Sequence, residues 1–326
     1  MKAIKAGIAG GAGYTGGELI RILLNHPHAS ISFIHSNSNA GKPVGAIHAD
    51  LLHESDLFFT NDFTEDIDVL FLCVGHGDAK KFLQQNKVAP YVRIIDLSQD
   101  FRLEQHAEYD GRVFTYGLPE LNKEHIQSAT NIANPGCFAT AIELGLLPLA
   151  AKGLVKQVYT TGITGSTGAG QAPGPTTHFS WRANNIQAYK TLTHQHLGEI
   201  MQTVDQLQPD SGADISFVPW RGDFTRGIFI SSQLECHLSN EELYDLYETF
   251  YQQHPFTTVS REPISLKQVV NTNHCYIHLE KAGSKLAIHS VIDNLLKGAS
   301  GQAVQNMNLL FGNDETSGLK LKANYF

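Results

Sequence analysis

Through its first 135 positions the chain alternates short apolar runs with amphipathic stretches and glycine-rich turns. Lys5–Ala9 is a brief apolar strand, and Gly10–Gly13 is a tight turn. From Thr15 to Asn25, apolar side chains at Leu19, Ile20, Leu23 and Leu24 recur at helical spacing, and Pro27 closes the helix. Ile31–His35 predicts the next strand. Val69–Val74 is an unbroken apolar run behind Asp66 and Asp68, the mark of a strand buried on both faces of a parallel sheet. Gly75-His76-Gly77 turns the chain, and Asp78 is expected to cap the helix that follows. Ile94–Leu97 and Asn131–Ala133 add two more strands. Such alternation predicts a parallel sheet with helices on both faces.

Beyond residue 137 the pattern changes. Phe138–Ala151 reads as a helix, followed by longer strands around 155–162, 213–219 and 227–237. Ser239 through Glu242 form a capping-box pattern that opens a helix to about Gln252. Tyr276–Glu280 and Leu286–Val291 flank Lys281-Ala282-Gly283-Ser284-Lys285 and predict a hairpin, and Ser300–Phe311 is a last helix. Long strands joined by hairpins imply a mixed or antiparallel sheet, hence a second domain. The Gly/Ser/Thr/Pro-rich stretch 164–177 is the one long irregular segment, and loops of that length are often functional.

Three local motifs carry candidate chemistry. GIAGGAGYTG at 7–16 places glycines between a strand and a helix, where a pyrophosphate can approach the backbone and the helix N-terminus. The competing reading is a plain tight turn. The second strand ends in His35-Ser36-Asn37-Ser38-Asn39, with Lys42 nearby and no carboxylate. An acidic residue there would bind a ribose 2′-hydroxyl, so this polar set favours NADP over NAD. Asn134-Pro135-Gly136-Cys137 puts a thiol at a helix N-terminus, where the dipole and unpaired N–H groups stabilise a thiolate and could hold an oxyanion. The bland alternative, a buried inert cysteine, is preferred for Cys73, Cys236 and Cys275, which sit in apolar strand contexts.

Two further segments are weaker. Arg102 follows a strand end, where its guanidinium could grip a phosphoryl group; a surface pair with Asp100 is the alternative. His194 and His196, in Thr193-His194-Gln195-His196, could act as acid and base beside a reactive cysteine, or serve only as a helix cap. Half a metal site is the other reading of the pair; the sequence shows no completed ligand set, so no metal is expected.

Composition narrows the partners. The 326 residues suit about two domains, and 42% hydrophobic with 17% charged residues can bury a sizeable core. A formal net charge of −8 argues against nucleic acid or anionic membrane as a partner. The N-terminus shows no signal-peptide pattern, and Ala141–Ala151, the most apolar stretch, is too short to span a bilayer. Four widely spaced cysteines fit a reduced, cytoplasmic chain.

Taken in order, GIAGGAGYTGGEL, DLSQDFRL, YGLPELN, NPGCFATA, TGSTGAGQ, THQHLGEI and DNLLKGASGQAVQN resemble the N-acetyl-γ-glutamyl-phosphate reductases over nearly the whole chain, from residue 7 to about 311. Aspartate-semialdehyde and glyceraldehyde-3-phosphate dehydrogenases are the broader relatives. The resemblance implies an α/β fold: an NADP-binding Rossmann domain over 1–136, completed by 295–326, and a mixed α+β catalytic and oligomerisation domain over 137–294. It implies Cys137 as the nucleophile and His194 or His196 as acid/base. It assigns Gly10, Gly13, Tyr14, Thr15, Gly16, Ser36, Ser38, Asn294 and Gly298 to the cofactor, and Arg102 and Asn134 to the substrate. The implied reaction is NADPH-dependent reduction of an acyl phosphate through a Cys137 thioester, by a homo-oligomer. Two positions depart from the family: Gln171 stands where the glycine loop usually ends in a basic residue, and Gln195 where the histidine pair usually encloses an arginine. The N-succinyl analogue, an aspartyl-phosphate substrate and a non-enzymatic dinucleotide sensor remain as alternatives. A substrate borne on an acidic carrier protein is disfavoured by the negative charge of the chain.

Overall fold

A computed structural model describes residues 3–326. In chain order the elements are β1 (Ile4–Ala9), α1 (Tyr14–Leu24), β2 (Ala29–His35), β3 (Phe59–Thr60), β4 (Val69–Leu72), α2 (Asp78–Gln85), β5 (Arg93–Asp96), β6 (Glu108–Tyr109), β7 (Arg112–Tyr116), α3 (Pro119–Ser128) and β8 (Asn131–Ala133). They continue with α4 (Cys137–Ala150), β9 (Gln157–Thr164), α5 (Phe179–Arg182), β10 (Gln187–Ala188), α6 (Leu197–Leu207), β11 (Asp214–Arg221), β12 (Ile228–Glu235), α7 (Asn240–Tyr251), β13 (Thr257–Ser260), β14 (Cys275–Ala282), β15 (Lys285–Ile292) and α8 (Gly301–Leu310). Two compact units result: Met1–Pro135 with Ala299–Lys320, and Gly136–Gly298 with Leu321–Phe326.

The first unit is built on an eight-stranded sheet ordered β3-β2-β1-β4-β5-β8-β7-β6. Every pairing is parallel except that of β6 with β7. All four residues of β4 are buried, as an unbroken apolar run requires in a sheet covered on both faces. The β6–β7 turn carries Asp110 and Gly111, both at positive φ, the conformation a tight hairpin turn demands. Asp78 is not the cap of α2. Gly77 holds that position at φ 83, its N–H donated to Asp100 Oδ1 at 2.6 Å, and the Asp78 carboxylate pairs with Lys81 instead. The turn needs a left-handed residue immediately before the helix, which glycine supplies without strain. Helix α8 has no polar face: Gln302, Gln305, Asn306 and Asn308 are all buried. Its amides are used as internal donors and acceptors. Asn306 Nδ2 donates to the Gly117 carbonyl at 2.9 Å, and Asn308 Oδ1 lies 3.0 Å from His26 Nε2.

The second unit holds a seven-stranded mixed sheet ordered β10-β11-β9-β12-β15-β14-β13. The β14–β15 hairpin closes at Gly283-Ser284 with Gly283 at φ 61, and the capping box forms between Ser239 and Glu242. Helix α4 is buried along almost its whole length, and Pro148 lies inside it. Proline has no N–H to offer the carbonyl of Leu144, four residues back. The Tyr251 hydroxyl from α7 donates to that carbonyl, and Tyr247 donates to the next, on Gly145, at 2.7 Å. The chain ends beside this unit, where Asn324 N–H donates to the Val270 carbonyl at 3.0 Å.

Candidate active site

In the second unit Gly136 is the extended N-cap of α4 and Cys137 its first helical residue. First-turn N–H groups have no carbonyl partner within a helix, so the thiol stands where backbone donors and the positive end of the dipole gather. Cys137 is half-buried, while the other three cysteines are buried. Burial pushes the Cys73 thiol up to about 12, which leaves it inert. Gly298 packs directly on Cys137: a Cβ added there would lie 2.7 Å from the Cys137 Cβ.

His194 and His196 precede α6. Their rings meet edge to face, with centroids 4.6 Å apart, and both pack on Phe138, the residue after the thiol. The His196 N–H donates to His194 Nδ1 at 3.2 Å, which fixes the neutral His194 ring with its hydrogen on Nε2. Burial, then the charge of Lys190, push His194 down to about 4, so it is uncharged at neutral pH. His196 has a different neighbour. Its Nε2 lies 4.0 Å from Glu199 Oε1, and Glu199 Oε2 accepts the Gly136 N–H at 2.8 Å. One buried carboxylate thus joins the histidine to the turn that carries the nucleophile. Sequence reasoning passed over Glu199; its signal was an acidic residue three positions past His196, in the first turn of α6.

Behind Cys137 the segment 293–298 ties the irregular loop in place. Asn294 Oδ1 accepts the Gly227 N–H at 2.7 Å, and its Nδ2 donates to Thr167 Oγ1 at 3.0 Å. Asp293 is fully buried and takes a bidentate pair from Arg226 at 3.0 and 3.1 Å. The structure therefore shows Asn294 and Gly298 shaping the loop and the thiol's surroundings.

The first unit carries the glycine turn. Gly10, at φ 79, lies where a Cβ would meet the Cys73 carbonyl oxygen at 2.5 Å, and a Cβ on Gly16 would meet Gly11 Cα at 2.6 Å. Gly13 is the N-cap of α1 without a side-chain hydrogen bond, and a Cβ on it would approach nothing closer than 3.8 Å. That leaves a backbone cradle open at a helix N-terminus, as a pyrophosphate needs. Tyr14 and Thr15 form the first turn of α1. At the end of β2, Asn39 Nδ2 donates to Ser38 Oγ at 3.1 Å and to Ser36 Oγ at 3.5 Å, and Lys42 Nζ donates to Asn39 Oδ1 at 3.1 Å. This hydroxyl, amide and ammonium cluster is positively charged. The residues fit a dinucleotide with a 2′-phosphate.

Arg102 and Asn134 also belong to this unit. Arg102 is buried, not on the surface, and donates to the carbonyls of Asn134 and Leu97 at 2.9 Å each. Asp100 instead accepts the N–H groups of Gly77 and Lys80. The Asn134 amide is used internally, with Nδ2 donating to the Ala299 carbonyl and Oδ1 accepting from Asn306.

Residues 5–129 match the family model described as semialdehyde dehydrogenase, NAD binding domain, and residues 137–294 match semialdehyde dehydrogenase, dimerisation domain. An N-acetyl-gamma-glutamyl-phosphate reductase of Parabacteroides distasonis is 54% identical over 325 residues, covering 99% of this chain and all of the relative. One from Flavobacterium johnsoniae is 52% identical over 324 residues, with the same coverage. Among solved structures, aspartate semialdehyde dehydrogenase II of Vibrio cholerae, complexed with ASA, superposes with a TM-score of 0.74 at 17% identity, over 96% of this chain and 99% of that one. An aspartate semialdehyde dehydrogenase of Candida albicans with NADP gives 0.70 at 15% identity, over 95% of this chain and 99% of that one.

Proposed function

Because the chain belongs to the semialdehyde dehydrogenase family, and within it to the N-acetyl-γ-glutamyl-phosphate reductases, we propose that it reduces N-acetyl-γ-glutamyl phosphate to N-acetylglutamate 5-semialdehyde and phosphate, with NADPH as reductant. This is a step of arginine biosynthesis. The observation that carries the reading is the half-buried Cys137 at the start of α4, pinned by Gly298 and set beside a histidine pair. The Cys137 thiolate attacks the γ-acyl carbon, the bond to the phosphate oxygen breaks, and an acyl thioester forms on Sγ. The N–H groups of the first turn of α4 are the donors for the oxyanion of that attack. Bound NADPH supplies the hydride that takes the thioester to the aldehyde level. The glycine turn with Tyr14 and Thr15 holds its pyrophosphate, and Ser36, Ser38 and Lys42 hold its 2′-phosphate.

Of the two histidines we assign the proton to His196. Its neighbour Glu199 can pair with an imidazolium, whereas burial keeps His194 uncharged. His194 then serves to orient its partner. Arg102 is proposed to receive the phosphoryl group, Asn134 to anchor the turn before Cys137, and Asn294 to shape the cofactor loop. A homo-oligomer in the cytoplasm, where thiols stay reduced, completes the reading.

Phosphate-dependent reduction of NADP⁺ with N-acetylglutamate 5-semialdehyde tests it, run beside the N-succinyl and aspartate semialdehydes. Turnover is expected with an N-acylglutamate semialdehyde. Turnover with aspartate semialdehyde alone, or with none, would overturn the assignment.

A further inference from the structure

The geometry points to Arg182 and Arg221 as a subsite that binds a carboxylate of the substrate, an inference that rests on the reaction just proposed. Both belong to the same unit as Cys137. Strand β10 pairs antiparallel with β11, setting Gln187 opposite Arg221. Two residues beyond Gln187, Tyr189 lies under the Arg221 guanidinium, 4.5 Å from ring centroid to Cζ. Its other neighbour is His194, with centroids 5.8 Å apart. Burial first, then the negative charge of the Cys137 thiolate, push the Tyr189 hydroxyl up, against the pull of Arg221. Tyr189 therefore links the arginine to His194, whose ring packs on the residue after the nucleophile.

Arg182 approaches from α5. It donates to the carbonyl of Gly222, the residue after Arg221, while its Nε is buried without a hydrogen-bond partner. Burial, then the like charge of Arg221, lower its affinity for a proton. Arg221 Nη1 donates to Thr176 Oγ1 at 2.8 Å. Among the described residues neither guanidinium has a carboxylate within ion-pair distance. Asp223 is the acidic group nearest in effect, and its Oδ2 accepts the Asn184 N–H at 2.7 Å. With Arg182 bonded to the residue after Arg221 and neither paired to a protein carboxylate, the two like charges would be relieved by a bound carboxylate.

The surroundings strengthen the case. Lys190 Nζ donates to Gln195 Oε1 at 2.8 Å, which sets an ammonium beside the histidine pair. Lys190, Arg182 and Arg221 thus gather positive charge around His194 and Tyr189, in a chain of net charge −8. A γ-glutamyl acyl phosphate carries its α-carboxylate four carbon–carbon bonds from the attacked carbonyl, on the order of 5 Å, about the span of a tyrosine ring. An N-acyl group ending in its own carboxylate would present the same chemistry further out.

The test compares wild type with Arg182→Gln, Arg221→Gln and Arg221→Lys in phosphate-dependent NADP⁺ reduction, using N-acetyl- and N-succinylglutamate 5-semialdehyde. Calorimetric titration with N-acetylglutamate and N-succinylglutamate gives a readout independent of turnover. Each Gln variant should raise the semialdehyde KM at least about tenfold, with kcat within about twofold and the KM for NADP⁺ unchanged, and should weaken the titrated ligand by a similar factor. Arg221→Lys should recover part of the loss, and it serves as the informative variant if a Gln substitution fails to fold. Equal losses with both acyl groups identify the α-carboxylate as the ligand; losses confined to the N-succinyl compounds identify the terminal carboxylate. Unchanged KM and unchanged titration in every variant overturn the subsite. If the wild type binds these acids without turning over either semialdehyde, the proposed reaction fails while the subsite is still judged by the titration.

Discussion

Gly298 lies so close to Cys137 that a Cβ on it would stand 2.7 Å from the Cys137 Cβ and 3.2 Å from its Cα. Neither neighbour is the far end of a flexible chain, so Gly298→Ala must displace the start of α4. We expect a stability loss of about 1–3 kcal/mol, the usual cost of overpacking. Because small misplacements of a reacting group are costly, kcat should fall at least about tenfold. Thermal unfolding and steady-state kinetics on the one variant check both; full activity would mean that the thiol tolerates a shift.

Cys137→Ser should reduce turnover by about 10³-fold or more while NADP⁺ binding persists, since a hydroxyl stays protonated where a thiolate forms. Cys137 should also be the fastest of the four cysteines to react with iodoacetamide at neutral pH, with Cys73, its thiol pushed up to about 12, among the unreactive ones. Given acyl phosphate without NADPH, the wild type should gain the mass of the acyl group on Cys137. An adduct on Cys73, Cys236 or Cys275 would contradict the mechanism.

Glu199 is a positioning residue, holding the Gly136 N–H and facing His196. Glu199→Gln keeps an oxygen for the N–H but removes the charge beside the imidazole. Its kcat should fall about tenfold or more and the pH profile should move, with little change in melting temperature. Glu199→Ala also leaves the Gly136 N–H unsatisfied, and should cost about 1–3 kcal/mol of stability as well. A pH profile identical to wild type in Glu199→Gln would confine Glu199 to a structural part.

Burial holds His194 at about 4, below its ordinary value of 6.5. With the folded value depressed, its contribution to stability is full above pH 6.5 and is lost as pH falls toward 4. By pH 5 this amounts to roughly 2 kcal/mol. Urea unfolding of wild type and His194→Gln at pH 7.5 and pH 5 isolates the effect: the wild type should lose about that much more than the variant over the interval.

The cluster at the end of β2 should make NADP⁺ bind at least about tenfold tighter than NAD⁺, roughly 1.4 kcal/mol. Lys42→Ala should remove much of that preference by weakening NADP⁺ while leaving NAD⁺ nearly untouched. Fluorescence titration of both cofactors decides; equal affinities in the wild type would refute the 2′-phosphate site.

The sequence alone determined whatever depends on near neighbours. The apolar run of β4, the glycine turn, the capping box of α7, the Gly283-Ser284 hairpin and Cys137 at a helix start are each set by the conformational preferences of a few adjacent residues, and they are legible residue by residue. Asp78 shows the limit even there, because the handedness demanded by the turn gave the cap to Gly77. Long-range pairing decided the rest. Glu199 meets Gly136 across 63 positions of chain, and Asn306 meets Asn134 across 172. Buried amides on α8 become internal partners only once the chain returns to the first sheet. Arg221, set over Tyr189, likewise gained meaning only when β10 paired with β11. Burial turns an ordinary polar side chain into an obligate partner, and burial is a property of the folded whole, not of the local sequence.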